Sequence, residues 1–350
     1  MPVRWPSARR ARNHVAIVSG MLAFRGMKAI VRHKYGPPDV LRLEEVENPV
    51  PADNDVLIQV RAASVNPYDW HFMRGDPYPL RLMAGPLRPR FAGLGADVAG
   101  EVAAIGKSVT RFKPHDAVFG TCQGSFAEYA SAGERRLAMK PASLTFEQAA
   151  SIPIAGITAL QALRDEGRIQ PGHKVLINGA AGGVGTFAVQ IAKSLGGMVT
   201  GVCSSRNAEM VRSLGAEQVI DYTREDFTKS TERYDILLDL VGNRSLLACR
   251  RVLGQEGIYV GAGGKTDPWM IGPLIGMLVG VVLSASGRRK FASMLAKGNS
   301  EDLTTLGELI TAGRVTPVID RRYTLNDVAD AVRYLEEGHA RGKVVINIAP

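Results

Sequence analysis

Cysteine and histidine are scarce in this sequence. Its 350 residues include three cysteines, Cys122, Cys203 and Cys249, and six histidines. An odd number of widely spaced cysteines cannot build a disulfide framework, which excludes the small secreted scaffolds and favours a reducing compartment. No two histidines have the spacing of a metal-binding pair, and no two cysteines lie close enough in sequence for a structural zinc site. We therefore expect a cytoplasmic protein without a metal site.

More than half of the excess positive charge lies at one end of the chain. The formal net charge is +9, but five arginines and no acidic residue precede Met27, and without them the charge is +4. So small a net charge does not favour nucleic-acid binding by the globular part. We predict that residues 1–26 are a disordered N-terminal extension. Either Met27 is the true start of the protein, or the extension is an organellar presequence.

Aromatic residues are few as well, at 6% of the sequence against 45% for all hydrophobic residues. This composition suits packed α/β layers, and the length allows two domains of ordinary size. Short strands separated by glycine and proline predict an all-β module, a partly closed barrel, that ends near Lys140. The predicted strands of this module are 28–32, 56–62, 97–105, 117–120 and 126–130.

Strand and helix signals alternate in the second half of the chain, which predicts a parallel sheet. Its predicted strands include 175–177, 218–220, 234–241 and 257–261. Helices are expected over 146–163 with an interruption at Pro153, over 303–312 and over 325–336, and a last strand over 343–348 is expected to return to the first module. We therefore predict three segments: a first domain at 27–152, a second domain at 153–287 and a C-terminal return to the first at 288–350.

A glycine-rich turn at 179–185 predicts a nucleotide site. It follows an aliphatic strand and opens a helix with apolar residues on one side. Gly182 leaves room for a pyrophosphate at the backbone, Gly185 lets the helix pack close to the strand, and the helix N-terminus offers unpaired N–H groups. Ala180 stands where the G-x-G-x-x-G fingerprint has its first glycine, and Gly179 can take up the bend. The strand–turn–helix context favours dinucleotide binding over a purely structural turn.

The end of the next strand favours NADP over NAD. NAD sites place an acidic residue about twenty positions after the glycines. Here the chain reads CSSR at 203–206, and the first acidic residue after this point is Glu209. Hydroxyl groups and a guanidinium suit a 2′-phosphate, which arginine binds through two parallel hydrogen bonds. We predict that Ser204 and Arg206 contact NADPH; the alternative is that Arg206 only begins the next helix in solvent.

Several motifs together resemble a known family. They are AASVNPYDW, LGADVAGEV, AGITALQAL, NGAAGGVGTFAVQIAK, CSSRN, LGAEQVIDY, LDLVGN and GHARGKVVI. From Met27 to Pro350 the chain resembles the medium-chain dehydrogenase/reductases, in the zinc-free quinone oxidoreductase (zeta-crystallin-like) branch, and within it the reticulon-interacting mitochondrial NADPH oxidoreductases and related bacterial enzymes. The resemblance implies an α/β protein, with a GroES-like β-barrel catalytic domain and a Rossmann domain built on a doubly wound parallel sheet. NADPH would lie in the cleft between them.

The sequence departs from the zinc-dependent members of that superfamily. Those members hold a catalytic metal with an early cysteine, a Gly-His-Glu step and a later cysteine or acid. Ser64-Val65-Asn66 stands at the position of the cysteine, and Gly95-Ala96-Asp97 stands at the Gly-His-Glu step. We therefore predict catalysis without zinc.

The resemblance also implies a catalytic residue. Asn66 of the SVNP motif would lie near the nicotinamide, where its amide could donate to a quinone oxygen or orient the ring. The alternative is that Asn66 and Pro67 only form a turn. Tyr68, Asp69, His71 and Arg74 follow on the same segment, and the sequence does not choose a proton donor among them.

Further cofactor contacts follow from the matching motifs, although each residue could instead belong to the scaffold. Thr158 would lie beside the nicotinamide, Ala181, Gly182, Gly183 and Val184 along the pyrophosphate, Tyr222 on the adenine side, Leu240 to Gly242 behind the nicotinamide ribose, and His339, Ala340 and Arg341 in the phosphate region.

One run of roughly twenty residues, 268–287, carries no charge and is long enough to span a bilayer. Pro273 and three glycines interrupt it, so we expect no transmembrane span, and residues 281–283 are predicted to form the last strand of the parallel sheet. We expect an element between the domains or at a homodimer interface. The alternative is an apolar wall of the acceptor site or a membrane-grazing lid, in which case charged residues at Met277 and Leu278 would impair turnover of long-tailed quinones most.

The predicted function is NADPH-dependent, zinc-independent hydride transfer to a quinone or a related conjugated carbonyl. Enoyl reduction and simple alcohol or aldehyde dehydrogenation are alternatives within the same class. An alternative of another class is a non-catalytic NADPH-binding sensor protein. The lining of the acceptor pocket is not readable from sequence, so the physiological acceptor stays open.

Overall fold

The computed structural model describes residues 26–264, 271–285 and 288–348, so the predicted extension lies outside the described residues except for Gly26. Within these ranges the strands are β1 Met27–Val31, β2 Arg42–Val46, β3 Asp55–Val65, β4 Asp97–Ile105, β5 Ala117–Thr121, β6 Tyr129–Gly133, β7 Leu137–Met139, β8 Lys174–Asn178, β9 Met198–Cys203, β10 Gln218–Asp221, β11 Tyr234–Asp239, β12 Leu253–Gly261, β13 Lys290–Ser293, β14 Ile319–Thr324 and β15 Lys343–Asn347. The α-helices are α1 Pro67–Arg74, α2 Pro79–Ala84, α3 Phe146–Ala150, α4 Pro153–Gln161, α5 Gly183–Ser194, α6 Ala208–Ser213, α7 Leu246–Val252, α8 Ile271–Ala285, α9 Ser300–Thr311 and α10 Val328–Glu336.

The first module is organised around β3. This strand pairs with β4, β6 and β15, all antiparallel, and two irregularities in its pairing with β4 let it bend from one neighbour to the next. At its end the register sets Ser64 opposite Asp97 of β4 and Val65 opposite Val344 of β15. The carboxyl end of β3 is therefore the point where the start of β4 and the last strand of the chain meet.

One predicted strand of this module is shifted. The sequence pattern predicts a strand over 126–130, whereas β6 covers Tyr129–Gly133. Phe126 is fully buried, but its backbone N–H donates to the carbonyl of Leu94 and its carbonyl accepts from Ile30, so it does not join the ladder with β3. The apolar residues at 126–130 correctly indicated a buried segment, but they do not show which backbone groups pair in the sheet.

The second sheet is parallel, as predicted. Its order is β10-β9-β8-β11-β12-β13, and every pairing in it is parallel. The strand order reverses between β8 and β11, which leaves a crevice outside their carboxyl ends where ligands bind in open α/β sheets. The glycine turn follows β8, so it lies at this crevice.

The interruption predicted at Pro153 is confirmed. Helix α3 ends at Ala150, and α4 begins at Pro153, the first helical position, where a missing N–H costs no hydrogen bond. Helix α4 is buried along most of its length and packs against α5, α9 and β4. It therefore contacts the first module through β4, and it reaches the parallel sheet only through α5, which packs on β8 and β9. The assignment of 27–152, 153–287 and 288–350 to separate units stays a prediction.

The predicted strand at 281–283 is wrong, because these residues lie in α8. Two parallel neighbours, β12 and β13, need a crossover between them, and a helix is the usual one. Pro273 lies in the first turn of α8, where it removes no intrahelical bond. Gly280 is buried, and a Cβ there would lie 3.4 Å from Cβ of Phe291, so the helix packs against β13 at this point.

No helix in the described ranges combines the length and the hydropathy that crossing a bilayer requires. Three large apolar side chains of α8 are nevertheless exposed: Leu278, Val281 and Val282. The side chain of Met277 and residues 265–270 and 286–287 lie outside the described part of the chain.

Candidate functional site

The glycine turn has the geometry that a pyrophosphate needs. Gly179 has φ of +91°, a left-handed conformation that favours glycine. A Cβ on Gly185 would lie 2.1 Å from the carbonyl oxygen of Gly179, so no other residue fits there. A Cβ on Gly182 would meet nothing closer than 3.5 Å. The turn is thus closed by Gly185 on the protein side and open above Gly182.

Helix α5 begins directly after this opening. Gly182 is its N-cap residue, and the first N–H groups of any α-helix have no partner inside the helix. These groups and the helix dipole attract anions to the N-terminus. Gly182, Gly183 and Val184 are partly accessible and Ala181 is buried, so the backbone of the predicted pyrophosphate segment borders the crevice.

The turn is fixed by the neighbouring strands. The N–H groups of Gly179 and Ala180 both donate to the carbonyl of Val202 in β9, at 3.2 and 3.1 Å. On the other side, the N–H of Leu240 donates to the carbonyl of Asn178 at 3.1 Å. The ends of three adjacent strands are therefore held in one fixed arrangement.

The loop at 240–242 is shaped by one buried carboxylate. Asp239 accepts hydrogen bonds from the N–H groups of Val241 and Gly242, at 3.1 and 2.9 Å, and from the amide of Asn178 at 2.8 Å. Gly242 has φ of +64°, which favours glycine. The predicted segment from Leu240 to Gly242 is thus a rigid rim of the crevice beside the phosphate turn.

The predicted adenine side lies at the ends of β9 and β10. Ser204 is buried, Arg206 is exposed, and the N–H of Tyr222 donates to the carbonyl of Cys203 at 3.1 Å. Asp221 also lies here, and its carboxylate accepts from the hydroxyl of Ser205. Hydrogen bonds from Ser205 and from Thr223 lower the pKa of Asp221 to about 2. The site therefore holds an ionised acid close to the predicted phosphate contacts.

The C-terminal segment crosses the phosphate turn. The N–H of Gly342 donates to the carbonyl of Ala181 at 2.9 Å, and Gly342 forms a parallel bridge with Gly182. His339 and Arg341 are exposed and Ala340 is partly buried. The GHARGK motif is thus joined to the pyrophosphate segment through Gly342, and cofactor contacts by His339, Ala340 and Arg341 stay a prediction.

A buried polar cluster fills the barrel side of the same crevice. We name it the Asp97 cluster: Ser64, Asn66, Asp97 and Lys343, each at most 3% exposed. Oδ2 of Asp97 accepts from Ser64 Oγ at 2.7 Å, from Asn66 Nδ2 at 2.9 Å and from Lys343 Nζ at 3.4 Å. Since a buried charge is tolerated only when it is paired and hydrogen-bonded, these contacts explain how Asp97 stays inside the protein.

The amide of Asn66 is fully engaged in this cluster. Its Nδ2 donates to the carbonyl of Ser64 at 3.3 Å and to Asp97, while its Oδ1 accepts from Lys343 Nζ at 2.5 Å. The amide therefore has one orientation, because a flipped amide would set its NH₂ group against the ammonium. A direct bond from Asn66 to an acceptor oxygen stays a prediction, and it would require one of these bonds to be exchanged.

Thr158 is tied to the same cluster through one helical turn. Oδ1 of Asp97 accepts from the N–H of Ile154 at 2.9 Å, and the hydroxyl of Thr158 donates to the carbonyl of Ile154 at 2.6 Å. One carboxylate therefore positions both residues that the sequence predicts beside the nicotinamide.

The four residues that follow Asn66 differ in their surroundings. Oδ2 of Asp69 accepts from the N–H of Asn66 at 2.8 Å, and burial raises the pKa of this carboxyl to about 7. Nδ1 of His71 donates to the carbonyl of Asp76 at 2.7 Å. Arg74 forms two hydrogen bonds with Glu336 of α10. Tyr68 is 44% exposed.

A catalytic zinc does not fit the donor set at the Asp97 cluster. Ser64-Val65-Asn66 stands where the zinc-dependent proteins have a cysteine, Ala96 stands where they have a histidine, and Asp97 is already paired with the ammonium of Lys343. Zinc prefers thiolate, imidazole and carboxylate ligands in tetrahedral geometry. The described residues also contain no cluster of three or more His, Cys, Asp or Glu side chains suited to a metal.

Comparison with known proteins identifies the family. Residues 52–142 match the alcohol dehydrogenase GroES-like domain and residues 214–346 match a family described as zinc-binding dehydrogenase. The mitochondrial NAD(P)H oxidoreductase RTN4IP1 of Homo sapiens is 36% identical over 92% of this chain and 89% of its own length. The chain belongs to the medium-chain dehydrogenase/reductase superfamily. Its predicted fold class is confirmed.

Two further members of the superfamily resemble the chain over most of its length. The chloroplastic NADPH-dependent alkenal/one oxidoreductase of Arabidopsis thaliana is 34% identical over 93% of this chain and 80% of its own length. The solved quinone oxidoreductase of Coxiella burnetii superposes with a TM-score of 0.82 at 34% identity, over 93% of this chain and 100% of that one. This medium-chain dehydrogenase/reductase is an oxidoreductase with a nicotinamide cofactor.

Sequence reasoning did not place Asp97, Lys343 or Asp221 at the candidate site, where the structure finds them. In the sequence, Asp97 stands out only as a departure from a zinc ligand set, and Lys343 only as the start of a strand. The available signal was a charged residue at the start of an apolar strand, ahead of VVINI. It shows that the charge needs a partner and does not show which one.

Proposed function

We propose that this protein uses NADPH to reduce a quinone or a related conjugated carbonyl, without zinc. The observation that carries the proposal is the contact between the glycine turn and the Asp97 cluster through Gly342 and Lys343. A pyrophosphate at Gly182 would place the rest of a dinucleotide along the crevice, toward Asn66 and Thr158. The bound cofactor supplies the hydride.

The chain's own residues bind the cofactor, orient its reacting end and exclude water from the site. Ala181, Gly182, Gly183 and Val184 hold the pyrophosphate with backbone N–H groups, and His339, Ala340 and Arg341 border it from the C-terminal segment. Leu240 to Gly242 support the nicotinamide ribose. The Asp97 cluster and Thr158 orient the reacting end, and such fixed geometry can contribute several orders of magnitude in rate.

The residues that follow β9 bear on the choice between NADPH and NADH. Arg206 is exposed at the end of β9, next to Ser204 and Ser205, where it can form charge-assisted bonds to a 2′-phosphate. Tyr222 lies beside them and offers an aromatic face to the adenine. The relative from Arabidopsis thaliana is named as NADPH-dependent, which supports the choice. We therefore propose NADPH rather than NADH as the coenzyme.

Two alternative functions would use the same cofactor site. An enoyl reductase or alcohol/aldehyde dehydrogenase would share the cofactor site and differ in the acceptor. A non-catalytic NADPH-binding sensor would bind the cofactor tightly and transfer no hydride. The names of the relatives, which refer to quinones and to alkenals or alkenones, favour the quinone and enone acceptors.

One acceptor panel tests the proposal. Purified protein is incubated with NADPH or NADH and with short-chain quinones, enones, enoyl thioesters and aldehydes, and oxidation is followed at 340 nm. We expect turnover with quinones or enones, and we expect it to be faster with NADPH than with NADH. Tight NADPH binding without oxidation of any acceptor would favour the sensor, and stoichiometric zinc by elemental analysis together with loss of activity on chelation would overturn the zinc-free mechanism.

We also propose that the protein is a homodimer that acts on a small-molecule acceptor in the cytoplasm. The exposed apolar side chains of α8 support a contact with a second copy. Sedimentation of the purified protein at micromolar concentration tests the dimer, and localisation of a tagged full-length chain tests the compartment.

A further inference from the structure

The Asp97 cluster joins segments that are far apart in sequence. Asp97 Oδ2 accepts from Ser64 and Asn66 at the end of β3, its Oδ1 accepts from the N–H of Ile154 at the start of α4, and Lys343 comes from the last strand. Each of these segments carries residues assigned above to the cofactor. The cluster is therefore the structural connection between the two sides of the crevice.

Lys343 is in contact with both sides. Its ammonium lies 2.5 Å from Asn66 Oδ1 and 3.4 Å from Asp97 Oδ2. Its aliphatic stem packs against the phosphate turn, because a Cβ on Gly183 would lie 3.0 Å from Cδ of Lys343. The preceding residue, Gly342, donates a backbone hydrogen bond to Ala181 and forms a parallel β-bridge with Gly182. A displacement of Lys343 would therefore disturb Asn66 and the turn together.

The charge of Lys343 is needed where it lies. Asp97 is fully buried, and Lys343 is 3% exposed. Asp69, also buried, is a second carboxyl close to the cluster. Without the ammonium, Asp97 would be an unpaired buried carboxylate and Asn66 Oδ1 would lose its donor, so the amide could turn.

We propose that Lys343 is the positioning residue of the reduction site: paired with Asp97, it fixes the amide of Asn66 and, through Ile154, the helix that carries Thr158, relative to the phosphate turn. This inference rests on the proposed function. Lys343 acts through Asn66 and Thr158 and is not itself a catalytic residue. A misplacement on the order of 1 Å at a hydride-transfer site can cost about a hundredfold in rate.

The test compares K343M, K343R, the pair variant D97N/K343M and a control, R164M, in the full-length protein. R164M removes the cation that pairs with buried Asp302 of α9. The hydrogen-bond partners described for these two side chains belong neither to the glycine turn nor to the Asp97 cluster. Steady-state kcat and KM are measured with NADPH and the best acceptor, alongside the melting temperature and the Kd for NADPH.

We expect K343M to lower kcat at least tenfold, because the ammonium that holds Asn66 is lost. Methionine keeps an aliphatic side chain against the phosphate turn, so KM and the Kd for NADPH should change less than threefold. K343R should recover part of the loss in kcat. The pair variant removes both charges and should regain melting temperature over K343M without regaining kcat. R164M should lose melting temperature and keep kcat. If kcat follows melting temperature across all four variants, Lys343 is only structural and the inference is overturned.

The two proposals fail in different ways. If the wild type oxidises no NADPH with any acceptor, the proposed function fails. The positioning role is still decided, because the fluorescence spectrum of bound NADPH reports the surroundings of the nicotinamide. We expect K343M to shift this spectrum relative to wild type and R164M to leave it unchanged; identical spectra for wild type and K343M would refute the positioning role.

Discussion

The ammonium of Lys343 donates to the side-chain oxygen of Asn66 at 2.5 Å, although 277 residues separate them in sequence. Asn66 follows the strand at the centre of the barrel, and Lys343 begins the last strand of the chain. Their contact is completed only when the chain has passed through the whole Rossmann sheet and returned. The reduction site therefore depends on the docking of the C-terminal segment against the phosphate turn.

Replacement of Gly182 by alanine should separate cofactor binding from folding. A Cβ there meets nothing closer than 3.5 Å, so the melting temperature should change little. The methyl group would occupy the space above the backbone, and we expect the Kd for NADPH to rise at least tenfold, measured by fluorescence titration. G133A is the matched control, since its Cβ has a similar nearest distance of 3.6 Å and lies outside the crevice. Unchanged affinity in G182A would contradict the pyrophosphate assignment.

Replacement of Arg206 by alanine should weaken NADPH binding and spare NADH. Hydrogen bonds to charged groups contribute about 1.5–3 kcal/mol, which corresponds to roughly tenfold to a hundredfold in Kd. Titration with both coenzymes measures the effect. The control is R288A, an exposed arginine whose partner, Glu256, lies elsewhere. Equal losses for the two coenzymes would show that Arg206 does not read the 2′-phosphate.

Asp221 should moderate the preference for NADPH. Its carboxylate is bonded to Ser205 and its pKa is lowered to about 2, so it is ionised at neutral pH and repels a phosphate nearby. We expect D221N to tighten NADPH binding several-fold while the Kd for NADH stays within twofold. Weaker binding of NADPH in D221N would instead mean that Asp221 holds Ser205 in place for the phosphate.

Asp69 should make stability depend on pH. Burial raises its pKa from 3.8 to about 7, so the folded state holds a proton that the unfolded chain releases above pH 4. The stabilisation is complete below pH 3.8 and is lost as pH rises to 7, by at most about 4 kcal/mol in the free energy of unfolding. Urea unfolding at pH 5 and pH 7.5 should show a smaller decrease for D69N than for wild type. D53N, at an exposed position, should retain the wild-type decrease.

Replacement of Leu278 by lysine should change either the turnover of large acceptors or the oligomeric state, because this side chain is 68% exposed on α8. If α8 borders the acceptor route, L278K will lower kcat/KM for long-tailed quinones more than for water-soluble ones. If α8 forms a dimer contact, L278K will shift sedimentation toward the monomer and affect both acceptors alike. V50K, which places the same charge at another exposed apolar site, should change neither measurement.

Much of the fold could be predicted because local signals are strong in this chain. The strand–turn–helix around Gly182, the break at Pro153 and the strand over 97–105 follow from apolar periodicity, glycine conformational freedom and the missing N–H of proline. Residues 281–283 were predicted wrongly because a short apolar run fits a strand or a helix equally well. The parallel pairing of β12 with β13, which is set by the tertiary structure, requires a crossover between them, and helix α8 provides it.

The sequence by itself determined the nucleotide turn and the residues that border it, because backbone conformation at a glycine and the N-terminus of a helix depend on near neighbours. Only the tertiary structure decided which groups Asn66 is hydrogen-bonded to, that Asp97 joins the end of β3 to the start of α4, and that Lys343 of the last strand supplies the positive charge beside them. These contacts are electrostatic and lie between residues distant in sequence, and no periodicity encodes the partner of a buried charge. The folded chain selects that partner by bringing β3, β4 and β15 to one point.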